Sequence, residues 1–149
     1  MLCKSLKFCL IATAFGIAFS SFAEAQSCVC KAVLQMPNGN QKTFCHAPPE
    51  HPTSQAACAT ICNGDGTLYV WGTADDIREA CTSGPTIPNP TLRLLSHKKN
   101  HWQFACSNVH ESVKVAKVRS KKDAVFTAAK MCLNVGNVES MTDLKAPPG

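Results

Sequence analysis

Several patterns that would announce an activity are missing from these 149 residues. No glycine-rich loop opens a helix; Gly64-Asp65-Gly66 is too short and follows a predicted helix instead of starting one, which excludes a phosphate-cradling loop. Asn63, Asp65 and Thr67 lack the later acidic ligand of an EF-hand, so a calcium loop is excluded as well. After the N-terminal apolar stretch no run approaches the length of a membrane-spanning helix. No spacing assembles a nucleophile, a base and an oxyanion site, so the chain reads as no enzyme and calls for no cofactor.

What the chain does have is cysteine, ten in all, and a segment that looks like an export signal. Lys4 and Lys7 precede the mostly apolar Phe8 to Phe22, and Ala23-Glu24-Ala25 supplies the small-x-small pattern a signal peptidase cuts. Residues 1–25 are therefore expected to be removed as a signal peptide, leaving no transmembrane anchor and a secreted or periplasmic product. Ala25-Gln26-Ser27-Cys28 does not make a clean lipobox. Cleavage removes Cys3 and Cys9 and leaves eight cysteines, an even number in an oxidising compartment, which implies a disulfide framework.

Eight cysteines can pair in on the order of a hundred ways, but their spacing narrows the choice. In Cys28-Val29-Cys30 two sulfurs share one face of a strand, and in Cys58-Ala59-Thr60-Ile61-Cys62 two share one face of a helix. The strand step of about 6.5–7 Å and the helix step of about 6 Å match. A helix that follows a hairpin runs roughly parallel to the hairpin's first strand, which sets Cys28 against Cys58 and Cys30 against Cys62. Aligning Cys62-Asn63-Gly64 with Cys132 and the helix stop after it, as an internal repeat, pairs Cys106 with Cys132, and Cys45 is left for Cys81. Cys-x-Cys and Cys-x3-Cys also suit reversible redox chemistry or soft-metal binding, so Cys28, Cys30, Cys58 and Cys62 carry an alternative function as an envelope redox or metal-handling site.

The fold class expected is α+β, a small disulfide-rich protein of two degenerate strand-strand-helix units, each a short antiparallel hairpin packed on one helix. The first unit, residues 26–83, has strands at Ser27 to Gln35 and Gln41 to His46 around an Asn38-Gly39 turn, then a helix capped by Thr53 or Ser54 and ending at Cys62. A third strand at Leu68 to Trp71 and a short helix over Ala74 to Cys81, capped by Thr73, complete it. Residues 84–91, with Pro85, Pro88 and Pro90, read as a linker. The second unit, residues 92–149, repeats the order with strands at His101 to Asn108 and Ser112 to Arg119 and a helix from Asp123 to Leu133, stopped by Asn134 to Asn137. In the repeat, Cys28 and Cys58 correspond to Phe104 and Ala128.

Charge divides the same way. Residues 26–90 hold three basic against five acidic residues, a net of −2, and residues 91–149 hold ten basic against four acidic, a net of +6. The densest positive stretch, Lys114 to Lys122, sets Lys114, Lys117, Arg119, Lys121 and Lys122 beside Trp102 as a candidate polyanion-binding or partner-binding edge; an edge strand guarded by charge explains the same residues structurally. His97 and His101, four apart, would share a helical face able to bind zinc or copper. His46, His51 and His110 are weaker candidates for acid-base work. The function these features support is an exported, disulfide-stabilised binding module, inhibitor-like or acting on a host or envelope partner. Its partner would be a protein, glycan or other envelope component of acidic character, with nucleic acid disfavoured, and the protein is expected to be a monomer.

Overall fold

The computed structural model describes residues 23–82, 90–107 and 109–143. The expected signal peptide lies outside the described residues except for Ala23 to Ala25, and the expected linker except for Pro90 and Thr91. Among the described residues no helix is long and apolar enough to cross a membrane.

The protein is α+β, with one mixed sheet and three helices among the described residues. Strand β1 (Ser27–Gln35) is its axis. It is buried without alternation in two runs of three, Cys28 to Cys30 and Ala32 to Leu34, separated by the half-buried Lys31, because both of its faces are covered. One edge of β1 pairs antiparallel with β2 (Gln41–His46) through a turn at Asn38-Gly39, where Gly39 takes φ +86°. The other edge is shared end to end: β3 (Leu68–Gly72) runs antiparallel along Ser27 to Lys31, and β4 (Leu92–Lys98) runs parallel beside Leu34 and Gln35. Strands β5 (His101–Cys106) and β6 (Ser112–Ala116) extend the sheet antiparallel from β4.

Helices α1 (Gln55–Gly64) and α3 (Lys121–Asp143) cover the face that carries Cys28, Cys30, Ala32 and Leu34. The main core lies between that face and α3 and includes Phe104, Leu34, Leu92, Val125 and Ala128, all fully buried. Helix α2 (Ala74–Cys81) packs on β1, β2 and β3. Cys45 sits opposite Lys31, one residue out of phase with Cys30, so the Cys45–Cys81 bond holds α2 to the second face of the sheet, where Val29 and Val33 are buried.

Local chemistry starts the helices where expected. The Ser54 hydroxyl accepts from Ala57 N at 3.2 Å, Thr73 and Asp76 form a reciprocal capping box, and Ser120 accepts from Asp123 N at 3.4 Å. The four cysteine pairs are those the spacing predicts: Cys28–Cys58, Cys30–Cys62, Cys45–Cys81 and Cys106–Cys132, with Cα separations of 5.6, 5.2, 5.9 and 5.5 Å.

Two expectations are corrected, and a third is met only in part. Strand β4 adds to the strands the sequence predicts, and through it the basic half joins the sheet of the first half instead of forming a separate hairpin on its own helix. Phe104 and Ala128 are buried beside the Cys106–Cys132 staple, but with α2 on the second face and β4 leading the second half, the correspondence of two repeated units does not extend to the sheet. Finally, α3 continues through Asn134-Val135-Gly136-Asn137 to Asp143, because a single glycine costs a helix only about 1 kcal/mol and does not stop one that is already long.

Candidate functional site

Four groups of chemistry-bearing side chains and one groove stand out. The sulfurs of Cys28, Cys58 and Cys62 lie within 4.8 Å of one another, with Cys30 bonded to Cys62, so two disulfides stand side by side under Trp71 and Phe126. All four residues are at most 6 % exposed. Each sulfur is engaged in a disulfide, and a buried disulfide offers neither a thiolate to a metal nor a sulfur to an attacking thiol. The strand column and the helix column meet here because α1 runs along β1, as the hairpin connection requires.

The histidine pair predicted for a helical face is not on a helix. His97 belongs to β4 and His101 to β5, on the two arms of a hairpin whose loop is Lys99-Asn100. His97 pairs across the strands with Trp102 and stacks on it, ring centroids 3.5 Å apart and planes 10° apart. His101 precedes Trp102, so its side chain projects from the opposite face of the sheet. The two imidazoles therefore do not converge on a metal ion.

His46 is the one histidine built into the frame. It lies opposite Cys30 in the β1–β2 ladder and meets the Phe126 ring edge-on at 4.0 Å, bringing the end of β2 against α3. Its Nδ1 is buried without a hydrogen-bond partner. Burial lowers its pKa from the usual 6.5, the Lys122 ammonium lowers it further, and Asp65 and Glu50 act in the opposite sense. His51 and His110 are exposed.

A groove of about 350 Å³ opens where β3 and β4 both begin beside β1, between the α1–β3 loop and α3. Thr67, Leu68, Thr91, Ser107, Ala129 and Leu133 line it. Its hydroxyls hold the frame: Thr67 donates to Cys62 O at 2.9 Å, Thr91 accepts from Val33 N at 3.1 Å, and Ser107 donates to Pro90 O. Gly66, at φ +71°, lets the α1–β3 loop lie against the Ala129 carbonyl of α3, and Lys130 reaches Asp65 at 3.2 Å beside it.

The basic residues are dispersed more than the sequence suggests, and better organised. Lys114 points outward from edge strand β6, between the buried Val113 and Val115. Lys117, Arg119, Lys121 and Lys122 follow in the β6–α3 connection and the first turn of α3. That connection is tied to the β4–β5 loop by a bond from Val118 N to Asn100 O at 3.3 Å. Lys98 and Lys99 of the hairpin thereby join the same end of the molecule, a placement that only the pairing of β4 with β5 reveals. Trp102 is only 4 % exposed, and its indole N–H donates to Val118 O at 2.8 Å, so it props the loop from inside and adds no aromatic surface. Among the described residues the ion pairs, Arg78–Asp75 and Lys130–Asp65, lie elsewhere, and neither engages a cation of this end. Compared with known proteins, the chain matches no family model, no curated protein and no solved structure.

Proposed function

We propose that this chain is an exported binding module, secreted or periplasmic after loss of residues 1–25, that acts through a stapled surface and not by catalysis. The observation that carries this reading is the convergence of basic side chains from two connections on one end of a frame held by four disulfides. The cross-links hold down the conformational entropy of a small domain, each contributing about 3.5 kcal/mol on a chain-entropy account, and so fix the spacing of the surface they carry. The strand-to-helix staple used at Cys30–Cys62 and again at Cys106–Cys132 fits a degenerate internal repeat elaborated into one sheet. The partner is an acidic protein, glycan or envelope component, and the module works as a monomer. Capture of that partner from the native compartment on the disulfide-intact protein tests the reading. Capture should be lost when Lys117, Arg119, Lys121 and Lys122 are changed together to Glu, and retention would remove the basic end as the site.

The close approach of the Cys28, Cys58 and Cys62 sulfurs favours a second reading, a redox or soft-metal site that forms on reduction. Thiol titration of the untreated native protein separates the two. Free thiols or bound metal would support the second reading, and their absence the first.

A further inference from the structure

We infer that the end of the molecule formed by the β4–β5 loop and the β6–α3 connection is a binding site for a linear sulfated polysaccharide. This inference rests on the binding-module reading and specifies its partner. Six cations, Lys98, Lys99, Lys117, Arg119, Lys121 and Lys122, are gathered there, all exposed except the half-exposed Lys121. The Val118-to-Asn100 bond and the Trp102 indole hold the two loops together. Guarding a sheet edge does not account for these residues. Lys114 of β6 serves that purpose, whereas five of the six lie outside the strands and the sixth, Lys98, is the last residue of β4.

Four of the six stand where local physical chemistry disfavours them. Lys99 has φ +54° at the first position of a two-residue hairpin loop in which Asn100 does not share the positive φ, a position glycine usually takes. Lys117 has φ +64°, again in the left-handed region that side chains other than glycine, asparagine and aspartate seldom enter. Lys121 and Lys122 occupy the first turn of α3, where the helix dipole favours anions and opposes cations; Asp123 is the only acid in that turn. Backbone strain and unfavourable charge placement that coincide on one surface mark a function that the fold does not need for itself.

The composition of the surface selects the polyanion. Five of the six cations are lysines, which meet sulfate or phosphate oxygens as point charges and lack the fork geometry that recognises carboxylates in pairs. Among the described residues this end exposes no Trp, Tyr or Phe ring as a stacking platform, because Trp102 is buried with only the His97 imidazole stacked on it, and single-stranded nucleic acid depends on such stacking. The connection carries no exposed large apolar side chain to insert into a bilayer; Val118 is half-buried. A flexible chain bearing sulfate groups needs only the array of cations.

The test is fluorescence anisotropy of labelled dextran sulfate with the disulfide-intact chain, with unsulfated dextran, an oligothymidylate and phosphatidylserine vesicles in parallel. Dextran sulfate should bind and unsulfated dextran should not. If about four ionic contacts form, polyelectrolyte release predicts about 50-fold weaker binding on going from about 50 to about 200 mM salt. K99E/K117E should abolish most of the binding, whereas K42E/R78E, which changes net charge equally on the other half, should leave it within about twofold. K98E/R119E is the second arm in case the left-handed positions do not tolerate Glu, with circular dichroism confirming the fold. Equal losses in both pairs would reduce the binding to net charge and overturn the site. Tighter binding of the oligonucleotide or of vesicles would overturn the polysaccharide. Absence of any dextran sulfate binding would overturn the inference and leave the binding-module reading to the capture experiment.

Discussion

Gly64 and Gly66 stand two residues apart and should respond to alanine with opposite signs. At Gly66 a Cβ would stand 2.3 Å from Ala129 O and 2.8 Å from Ala129 C, both backbone atoms of α3, and 3.3 Å from Leu133 Cβ. No flexible side chain end can yield there, so either the α1–β3 loop or α3 must move. The left-handed φ of +71° adds a further penalty of about 1 kcal/mol for any residue with a Cβ. Overpacking adds about 1–3 kcal/mol, and Gly66→Ala should cost about 2–4 kcal/mol in all, a large share of the stability of a small domain. At Gly64, the last residue of α1, a Cβ meets nothing within 4 Å and φ is not positive, so Gly64→Ala should stabilise by about 0.5–1 kcal/mol through reduced chain entropy. Denaturant unfolding of the disulfide-intact proteins, with the m-value monitored, measures both. A Gly66→Ala loss below about 0.5 kcal/mol would refute the close docking of the first half's loop on the second half's helix.

Other outcomes follow from particular contacts. His46 binds its proton more weakly folded than unfolded, so as pH falls through 6.5 the unfolded chain protonates first and stability drops until the folded-state pKa is passed. The slope cannot exceed about 1.4 kcal/mol per pH unit for one proton, and His46→Gln should flatten it as pH falls through 6.5 in unfolding experiments. Asp76 has its pKa lowered by hydrogen bonds from the Thr73 backbone and hydroxyl, so its capping contribution is present above 3.8 and lost as pH falls; Asp76→Ala should fray α2 and raise amide exchange there. Cys45 and Cys81 are half-buried while the other six cysteines are buried, so limited reduction followed by alkylation should label Cys45 and Cys81 first.

The cysteine columns and helix caps were legible because they depend on near neighbours: i to i+2 on a strand, i to i+4 on a helix, and Ser54, Thr73 and Ser120 ahead of their helices. Strand β4 was not, since Leu92 to Lys98 alternates only at Leu92 and Leu94 before a register shift near Leu95 breaks the period. Missing β4 made His97 to His101 resemble one helical turn, when it is a hairpin that sends the two imidazoles to opposite faces. The burial of Trp102 is hidden from the sequence for a related reason: it depends on Val118 looping back so that its carbonyl accepts from the indole N–H, a tertiary contact with no local signature. The cationic end was half visible. The lysines of residues 114–122 are contiguous in sequence, but Lys98 and Lys99 join them only through the β4–β5–β6 pairing.

The claim on which the rest depends is that the eight cysteines form a closed structural framework and that function lies on the surface it fixes. Mass-spectrometric mapping of the non-reduced native protein tests it directly. The account predicts no free thiols and linkages Cys28–Cys58, Cys30–Cys62, Cys45–Cys81 and Cys106–Cys132. A Cys28–Cys30 linkage, any bond between residues 28–81 and residues 106–132, or a native thiol in the Cys28, Cys30, Cys58 and Cys62 cluster would contradict it.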